Sequence, residues 1–402
     1  MDAYDYCKYL VDTWPDRWTG SPGERESGDW MEEQLARMGY ETRQTRFDCP
    51  GWEYEGEEFY LEGEPLEAGA QFFSVGCDVT APLAAVKPDG EGGFHGEAKG
   101  KIALLKETDT MDVIERNKIL LALESAGAVA AIMESEYPDT YSTKMFRTPE
   151  SKLPAAGVSG EVGQVLFAAV GREARLVIRA RQTRSTTSNV FGEKGPVDGP
   201  VFLICAHHEA APGSPGAYDN AAGIGIVLEM AQRFSKADCG ARLRFVGWGG
   251  HEFGILGSKW YVENCTDEAR KIERLLIFDG VGAKESDPRI SVRGGEQVIE
   301  RVRAYTEDRG GVNFRVRTGW GGGDGAYFSE VDVDTVWVSA SRWKLGDLYG
   351  REGREGGLAA PFHSPIDDMR WIGREAMARE VGIGMDLVKD WCDEFGLKCE
   401  GL

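Results

Sequence analysis

The residues of this sequence that are best suited to chemistry are histidines and acidic residues at turns that follow predicted strands. The chain has five histidines, and four of them lie at such turns. Imidazole nitrogens and carboxylate oxygens together bind divalent ions of borderline hardness, zinc above all. The candidate metal ligands are His207, Asp219, Glu252, Asp279 and His363. A carboxylate shared by two such ions holds them about 3.5 to 4 Å apart, the spacing of two-metal hydrolases.

Each of these residues has a simpler explanation when it is taken alone. An aspartate after a strand most often caps a helix, which is the more common role for a residue such as Asp219. A single histidine usually lies at the surface or in a hydrogen bond, and His208 is expected to point away from any metal. The clustering of four histidines at these turns is what favours a metal site.

Other catalytic motifs fit the sequence less well. The pair His251-Glu252 begins like the HExxH zinc motif, but Ile255 occupies the position of the second histidine. The glycine-rich stretch 319–325 is not followed by Lys-Ser/Thr, so it is not a phosphate-binding loop. The segment 157–160 lacks the final glycine of a nucleophile elbow.

The predicted elements bring the candidate ligands to one edge of an α/β sheet. Residues 200–206, 242–248 and 275–278 are short apolar runs typical of buried strands. A helix is predicted to begin at Ala217 and to continue to Phe234, because apolar residues recur there at helical spacing. Open α/β sheets bind their ligands just past the strand ends, where the candidate residues lie.

Composition restricts the partners and the compartment. The chain has 402 residues, of which 67 are acidic and 46 basic, and its net charge of -21 argues against nucleic acid and anionic membranes. No apolar run approaches the roughly 20 residues of a membrane helix. The sequence starts without a basic and apolar signal segment, so we expect a cytoplasmic protein. Eight scattered cysteines without CxxC spacing predict reduced thiols. The sequence does not decide whether the chain forms a homo-oligomer.

These segments resemble the zinc aminopeptidases of the M28 class. The matching segments are Ala206-His207, Gly216 to Asn220, Glu252 before Gly254-Ile255-Leu256-Gly257-Ser258, Phe278 to Gly282, and Phe362 to Pro365. The resemblance implies an α/β fold of three layers, with helices on both faces of a mixed sheet. It also implies a catalytic domain of residues 1–55 and 186–402. Residues 56–185 resemble a β-rich protease-associated insert, which should have its own core and lie over the metal cleft.

The resemblance further implies the roles of individual residues. Two zinc ions, with cobalt or manganese as alternatives, would share Asp219. The first ion would also be bound by His207 and Asp279, and the second ion would also be bound by Glu252 and His363. Glu209 would orient His207 through a hydrogen bond. The Asp219–Asn220 peptide bond would be cis, as in the family.

Two positions depart from the family pattern. His251 stands where the family has its catalytic glutamate, and Phe362 stands where it often has a tyrosine. We expect His251 to accept a proton from a water molecule that bridges the metals, as a general base. Two nearby cations should lower the pKa of His251.

The predicted function is hydrolysis of an amide bond in a peptide or an amino-acid conjugate. Candidate substrate contacts are Asp324, Arg342 and Trp320. A solvated arginine and a packed tryptophan are the simpler interpretations of the last two. Two alternatives remain: a pseudo-peptidase that acts as a binding module, and an acyl or cyclising transferase on the same fold. Retention of all five ligands argues against the first, and analysis of the products separates the second.

Overall fold

The computed structural model describes residues 1–106, 113–135, 137–143, 151–318, 323–343 and 362–401. The helices in these ranges are α1 (Ala3–Thr13), α2 (Pro22–Arg37), α3 (Val113–Ser125), α4 (Gly160–Ala168), α5 (Ala222–Phe234), α6 (Leu256–Asn264), α7 (Thr266–Ala269), α8 (Glu296–Arg309) and α9 (Arg374–Glu394). The strands up to residue 158 are β1 (Glu41–Leu61), β2 (Glu64–Leu66), β3 (Gly69–Ala70), β4 (Cys77–Ala85), β5 (Lys87–Pro88), β6 (Phe94–His95), β7 (Ile102–Lys106), β8 (Ala130–Glu134) and β9 (Ala155–Val158). The later strands are β10 (Glu173–Lys194), β11 (Val201–His207), β12 (Asp238–Cys239), β13 (Arg242–Trp248), β14 (Ile272–Phe278), β15 (Ser286–Arg293), β16 (Asn313–Val316), β17 (Asp334–Trp343) and β18 (Cys399–Glu400).

A mixed sheet of 14 strands runs through the described residues. Its order is β16-β15-β17-β14-β11-β13-β10-β4-β7-β8-β9-β3, and β1 pairs with β10 and β2. The neighbours β17, β14, β11 and β13 are parallel to one another. The strands β15 and β10, which flank this group, run antiparallel to their partners β17 and β13. The predicted mixed sheet of an α/β fold is therefore confirmed.

Helices cover both faces of the central strands, as the three-layer prediction requires. Successive side chains of a strand point to opposite faces, and in β11 both sets are buried. Phe202 and Ile204 join a core with residues of α1, α5 and α9. Leu203 and Cys205 join a second core with residues of α6. A strand buried on both faces has no polar alternation, which explains the continuous apolar run in the sequence.

The two N-terminal helices pack on the core of the central strands. In α1, Tyr6 and Leu10 are buried in the same core as α5. Helix α2 begins after Ser21, whose hydroxyl accepts a hydrogen bond from the Glu24 N–H at 3.0 Å. This capping arrangement satisfies a backbone N–H that the first turn of a helix leaves without an intrahelical partner.

The insert has a hydrophobic core of its own, and it contacts the loop that follows β13. One buried cluster around β7 and β8 lies wholly within the insert. A second cluster also includes Trp52, Ala211 and Phe253 from outside it. Phe73 packs against Phe253, which directly follows Glu252, with ring centroids 4.4 Å apart. The insert therefore contacts the loop that carries Glu252, and its predicted position over the metal cleft stays a prediction. The boundaries at 55/56 and 185/186 stay a prediction, because β1 and β10 pair continuously through both.

No helix among the described residues is long and apolar enough to cross a membrane.

A buried carboxyl group in α9 makes the stability of the fold depend on pH. Glu380 is fully buried, and one of its oxygens accepts a hydrogen bond from the Gly282 N–H at 2.7 Å. Burial raises the pKa of Glu380 to about 8. Because this folded-state pKa lies above that of the unfolded chain, the favourable contribution of the group is complete at low pH. It is lost as the pH rises from about 4.5 to about 8.

We expect Glu380→Gln to remove this dependence, since glutamine has the shape of the protonated acid. Urea unfolding should show equal stability of wild type and variant near pH 5. At pH 8 the variant should be more stable by on the order of 3 kcal/mol. Glu375→Gln, at an exposed position of the same helix, is the control and should change little at either pH. Equal stability of wild type and Glu380→Gln at pH 8 would contradict the assignment.

Candidate metal centre

Three parallel strands carry candidate ligands to the same edge of the sheet. His207 is the last residue of β11, Asp279 directly follows β14, and Glu252 lies in the turn after β13. Because parallel strands end at the same edge, the three side chains converge there. His363 reaches this edge from a separate loop, with its backbone in the left-handed region at a φ of 52°.

The fifth candidate, Asp219, lies in a distorted turn rather than in regular helix. The helix predicted from Ala217 begins instead at Ala222, because Asp219 and Asn220 have non-helical backbone angles. The Asp219–Asn220 peptide bond is cis, as the resemblance implied. Gly216 enters the turn at a φ of 58°, and a Cβ there would lie 2.6 Å from the Asp219 carbonyl oxygen. Only glycine fits this approach of backbone to backbone.

Asp219 stands between the two imidazoles. One of its carboxylate oxygens lies 3.0 Å from His207 Nε2, and the other lies 3.2 Å from His363 Nε2. On the outer sides, Glu252 lies 2.9 Å from His363 Nε2, and Asp279 lies 3.6 Å from His207 Nε2. The structure therefore brings all five predicted ligands together, with Asp219 in the central position.

The electrostatics of this cluster suit a bound cation. Burial lowers the pKa of His207, but Glu209, Asp219 and Asp279 outweigh it and raise the pKa well above its usual value. Burial raises the pKa of Asp219, but His207 and His363 outweigh it and lower the pKa. The buried carboxylates thus favour positive charge between them. Two imidazoles and three carboxylates form a donor set that zinc accepts, so the residues present fit the metal that was predicted.

Glu209 ties two of the strand ends together. One of its carboxylate oxygens lies 3.0 Å from His207 Nδ1, and the other accepts a hydrogen bond from the Glu252 N–H at 3.0 Å. A carboxylate on Nδ1 fixes the orientation of a ligating imidazole and leaves Nε2 facing the metal position. Its placement matches the orienting role that the sequence predicted.

His251 lies beside the metal position and is held by Asp324. Its Nδ1 is 2.8 Å from an Asp324 carboxylate oxygen, and its ring stacks on His207 with centroids 4.0 Å apart. The other Asp324 oxygen accepts a hydrogen bond from the Ser258 hydroxyl at 3.0 Å. One ligand atom each from His207, His251 and Asp279 lie within 4.8 Å of one another. His251 can therefore serve the site as a proton acceptor or as a further ligand.

Asp324 raises the pKa of His251 in the metal-free protein. Burial and the adjacent His207 lower the pKa of His251, but the Asp324 carboxylate outweighs them and raises it to about 9 in the metal-free protein. Two bound cations would act in the opposite direction, so the lowered pKa of His251 in the metal-bound protein stays a prediction. The ion pair with Asp324 was not predicted, because Asp324 lies 73 positions away and was interpreted as a substrate contact.

The remaining predicted residues have mixed outcomes. Asp324 is buried, and both of its oxygens accept hydrogen bonds from protein groups, so it orients His251 and does not face a substrate. His208 points away from the metal position, with its Nε2 donating to the Ser188 carbonyl at 2.9 Å. Arg342 lies in β17, but its side chain is outside the described residues, as is the whole of Trp320.

Two buried groups that support the site were missed. Arg17 is fully buried and donates hydrogen bonds to the carbonyls of His208, Pro215 and Gly216. Asp367 accepts hydrogen bonds from the N–H groups of Tyr218 and Asp219. The acidic pair that follows the His363 segment was a visible signal for Asp367. Nothing in the sequence distinguished Arg17 from an ordinary exposed arginine.

The insert also contacts a ligand loop directly. The Thr143 N–H donates to the His363 carbonyl at 2.8 Å. The Thr143 hydroxyl donates to the Pro212 carbonyl at 2.9 Å. Both acceptors lie in loops of the catalytic part, so the insert helps to position His363.

Two parts of the chain match the models of known protein families. Residues 189–382, which carry the site except for its supporting N-terminal residues, match the model of peptidase family M28, and residues 79–166 match the PA domain. The chain therefore resembles peptidase family M28 in residues 189–382. Its fold class and its protease-associated insert are those that the sequence predicted. Its relatives and structural neighbours include zinc aminopeptidases, and the chain is an aminopeptidase-like hydrolase of the zinc-dependent kind.

Individual M28 relatives resemble the chain along most of its length. Aminopeptidase YwaD of Bacillus subtilis is 27% identical over 397 residues, which cover 93% of this chain and 81% of the relative. The crystal structure of BSAP, a zinc aminopeptidase from Bacillus subtilis, has a TM-score of 0.75 to this chain at 25% sequence identity. The match covers 94% of this chain and 92% of the BSAP chain. Leucine aminopeptidase 2 of Trichophyton equinum is 25% identical over 66% of this chain, which spans about half (54%) of that relative.

Proposed function

We propose that this chain is a two-zinc aminopeptidase-type hydrolase that cleaves an amide bond of a peptide or an amino-acid conjugate. The observation that carries the proposal is the convergence of five nitrogen and oxygen ligands around Asp219. His207, Asp219 and Asp279 would bind one ion, and Asp219, Glu252 and His363 the other. When bound, the ions supply Lewis-acid polarisation of the scissile carbonyl and acidify water. Cobalt and manganese are the alternative ions.

His251 is the proton acceptor in this proposal. With Asp324 ionised, the Nδ1 proton of His251 is held in the hydrogen bond to the carboxylate, which leaves Nε2 as the basic nitrogen. The His251 side chain is 15% exposed. His251 accepts the proton of the attacking water at Nε2 and then donates it to the leaving amine. Asp324 positions the ring and stabilises its protonated form, as the carboxylate does in other His–Asp pairs.

Several other features support the proposal. The eight cysteines are free thiols, which supports a cytoplasmic location. The net charge of -21 argues against nucleic acid and anionic membranes as partners. A peptide is the substrate class that the names of the M28 relatives favour.

A panel of substrates tests the proposed reaction. Zinc-loaded protein should release the N-terminal residue from dipeptides and aminoacyl anilides, and it should act poorly on N-acyl amino acids. Products are identified by mass spectrometry, because a cyclising or acyl transferase would give a product without net addition of water. Failure to cleave any amide at full zinc occupancy would contradict the proposal.

The pH dependence of turnover should report the pairing of His251 with Asp324. The carboxylate raises the pKa of His251, so Asp324→Asn removes a stabilising charge and lowers that pKa. Because the unprotonated imidazole is the active form, the acidic limb of the pH–rate profile should move to lower pH. Turnover at the plateau should fall by roughly 10- to 100-fold, since the ring is less well oriented.

The control for this measurement is Ser258→Ala. It removes the other hydrogen bond to Asp324 but keeps the negative charge. The acidic limb should therefore not move to lower pH in this variant. A limb that stays in place in Asp324→Asn would show that His251 does not control the profile.

A further inference from the structure

A second group of side chains that could hold a metal ion lies beyond the opposite ends of the central strands. Cys239, Cys392 and Cys399 each offer a sulfur, and the three sulfurs lie within 4.8 Å of one another. The Sγ atoms of Cys239 and Cys392 are 3.4 Å apart. All three are free thiols. Their sequence spacing gave no sign of this cluster, because Cys239 is 153 positions from Cys392.

Three separate elements build the cluster. Cys239 and Cys399 face each other in the antiparallel pair of β12 and β18, and Cys392 lies near the end of α9. The ladder continues through a hydrogen bond from the Gly240 N–H to the Lys398 carbonyl at 3.0 Å. The Leu397 N–H donates to the Cys392 carbonyl at 2.8 Å, which closes the turn between α9 and β18. The three thiols are thus held by backbone pairing and do not meet through a single flexible loop.

The cluster is separate from the zinc ligands. Cys239 lies just before the first residue of β13, whereas Glu252 follows the last. The seven residues of β13 span about 20 Å at 3.3 Å per residue. A metal held by the thiols would therefore be independent of the M28 centre.

The spacing of the sulfurs suits a thiolate-bound ion. Zinc–sulfur bonds are about 2.3 Å long, so three sulfurs around one ion lie about 4 Å apart. The observed separation of 3.4 Å and the limit of 4.8 Å bracket this value. The Cys239 and Cys392 thiols are within hydrogen-bonding distance of each other.

We propose that Cys239, Cys392 and Cys399 form a three-thiolate site for one soft metal ion, either Cu(I) or zinc. Thiolates select these ions over the harder ones that carboxylates prefer. Three sulfurs complete the coordination of a three-coordinate Cu(I) ion, and zinc would add a water molecule as its fourth ligand. The bound ion would fasten β18 to β12 and α9. Each thiol releases its proton to solvent when it coordinates the ion.

The other interpretation of the cluster is apolar packing or a disulfide. Cysteine behaves as a small hydrophobic residue when it is buried, and Cys239 and Cys392 belong to the main core. A disulfide between these two would need the sulfurs at about 2.05 Å. Such a disulfide would leave Cys399 as a free thiol. Neither the disulfide nor apolar packing would bind a metal ion at the three sulfurs, whereas the proposed site would.

Cadmium is the probe that distinguishes the two metal centres. Cadmium bound by thiolates has a sulfur-to-metal charge-transfer absorption in the ultraviolet, and cadmium bound by imidazole and carboxylate does not. Full-length protein, reduced and stripped of metal, is titrated with cadmium. We expect the absorption to saturate at one equivalent in wild type and in Cys265→Ser, a control cysteine outside the cluster. It should be lost in Cys399→Ser and in Cys239→Ser.

Two further measurements identify the ion and do not depend on the variants. In wild type, one equivalent of Cu(I) or of zinc should protect Cys399 from alkylation, as read by mass spectrometry. The protecting ion should raise the melting temperature by on the order of 5 °C, because it binds only the folded chain. Chelator competition then ranks Cu(I) against zinc.

An absent charge-transfer absorption in the reduced wild type, or an equal one in Cys399→Ser, would overturn the proposal. So would unchanged alkylation of Cys399 in the presence of both ions. A cluster that carries a Cys239–Cys392 disulfide and regains no metal affinity after reduction would likewise overturn it.

Discussion

Replacing Asp219 by asparagine is expected to remove most bound zinc and to lower turnover by roughly 1,000-fold or more. The two carboxylate oxygens of Asp219 face the two imidazoles, at 3.0 and 3.2 Å. An amide offers a single oxygen and no charge, so it cannot bridge two cations. Elemental analysis of protein purified without chelator measures the metal, and the same samples are assayed for hydrolysis.

The control for this variant is Asp29→Asn, which changes an exposed carboxylate of α2. It should keep up to two zinc equivalents per chain and the turnover of the wild type. Full zinc occupancy in Asp219→Asn would contradict the central position of Asp219. A metal-free wild type that also refuses added zinc, cobalt and manganese would contradict the metal centre as a whole.

His251→Ala is expected to lower turnover by roughly 100- to 10,000-fold, the usual contribution of a general base. The physical reason is the loss of the nitrogen that accepts the proton of water. Zinc content should stay at the wild-type level, because five other side chains hold the ions in our proposal. Turnover and zinc are measured on the same preparation, with substrate at saturation.

The zinc measurement separates two roles that the geometry allows for His251. A ligand atom of His251 lies within 4.8 Å of ligand atoms of His207 and Asp279, so it could bind the first ion. Loss of about one zinc equivalent in His251→Ala would show that His251 is a ligand of the first ion. Unchanged turnover would make it a bystander. The exposed His95, in the insert, supplies the control His95→Ala, which should alter neither quantity.

The central sheet and the ligand cluster were predictable because their signals are local. Each buried parallel strand is an uninterrupted apolar run, and the ligands His207 and Asp279 follow such runs directly. Parallel strands necessarily bring their carboxyl ends to one edge, so the order of elements already implied that these side chains meet. The assignment of Asp219 and His363 depended more on the family resemblance, since neither directly follows a strand.

The supporting contacts were not predictable, because they join positions that are far apart in the chain. The pair His251–Asp324 spans 73 positions, and Arg17 reaches carbonyls about 191 to 199 positions away. Only the folded chain shows that Arg17 is buried with its guanidinium against those carbonyls. The predicted start of α5 at Ala217 was also wrong by five residues, because the spacing of apolar residues does not reveal the turn with the cis peptide bond at Asp219.

The most direct test of the account compares wild type with His251→Glu on the same panel of aminoacyl amides, at equal zinc content and across pH. The variant restores the glutamate that the M28 pattern has at this position. We predict that the wild type hydrolyses at least one of these amides, with an acidic limb in its pH–rate profile. His251→Glu should also be active. A wild type that is inert on every amide, beside an active His251→Glu, would contradict the proposed hydrolase and identify the natural chain as a binding module.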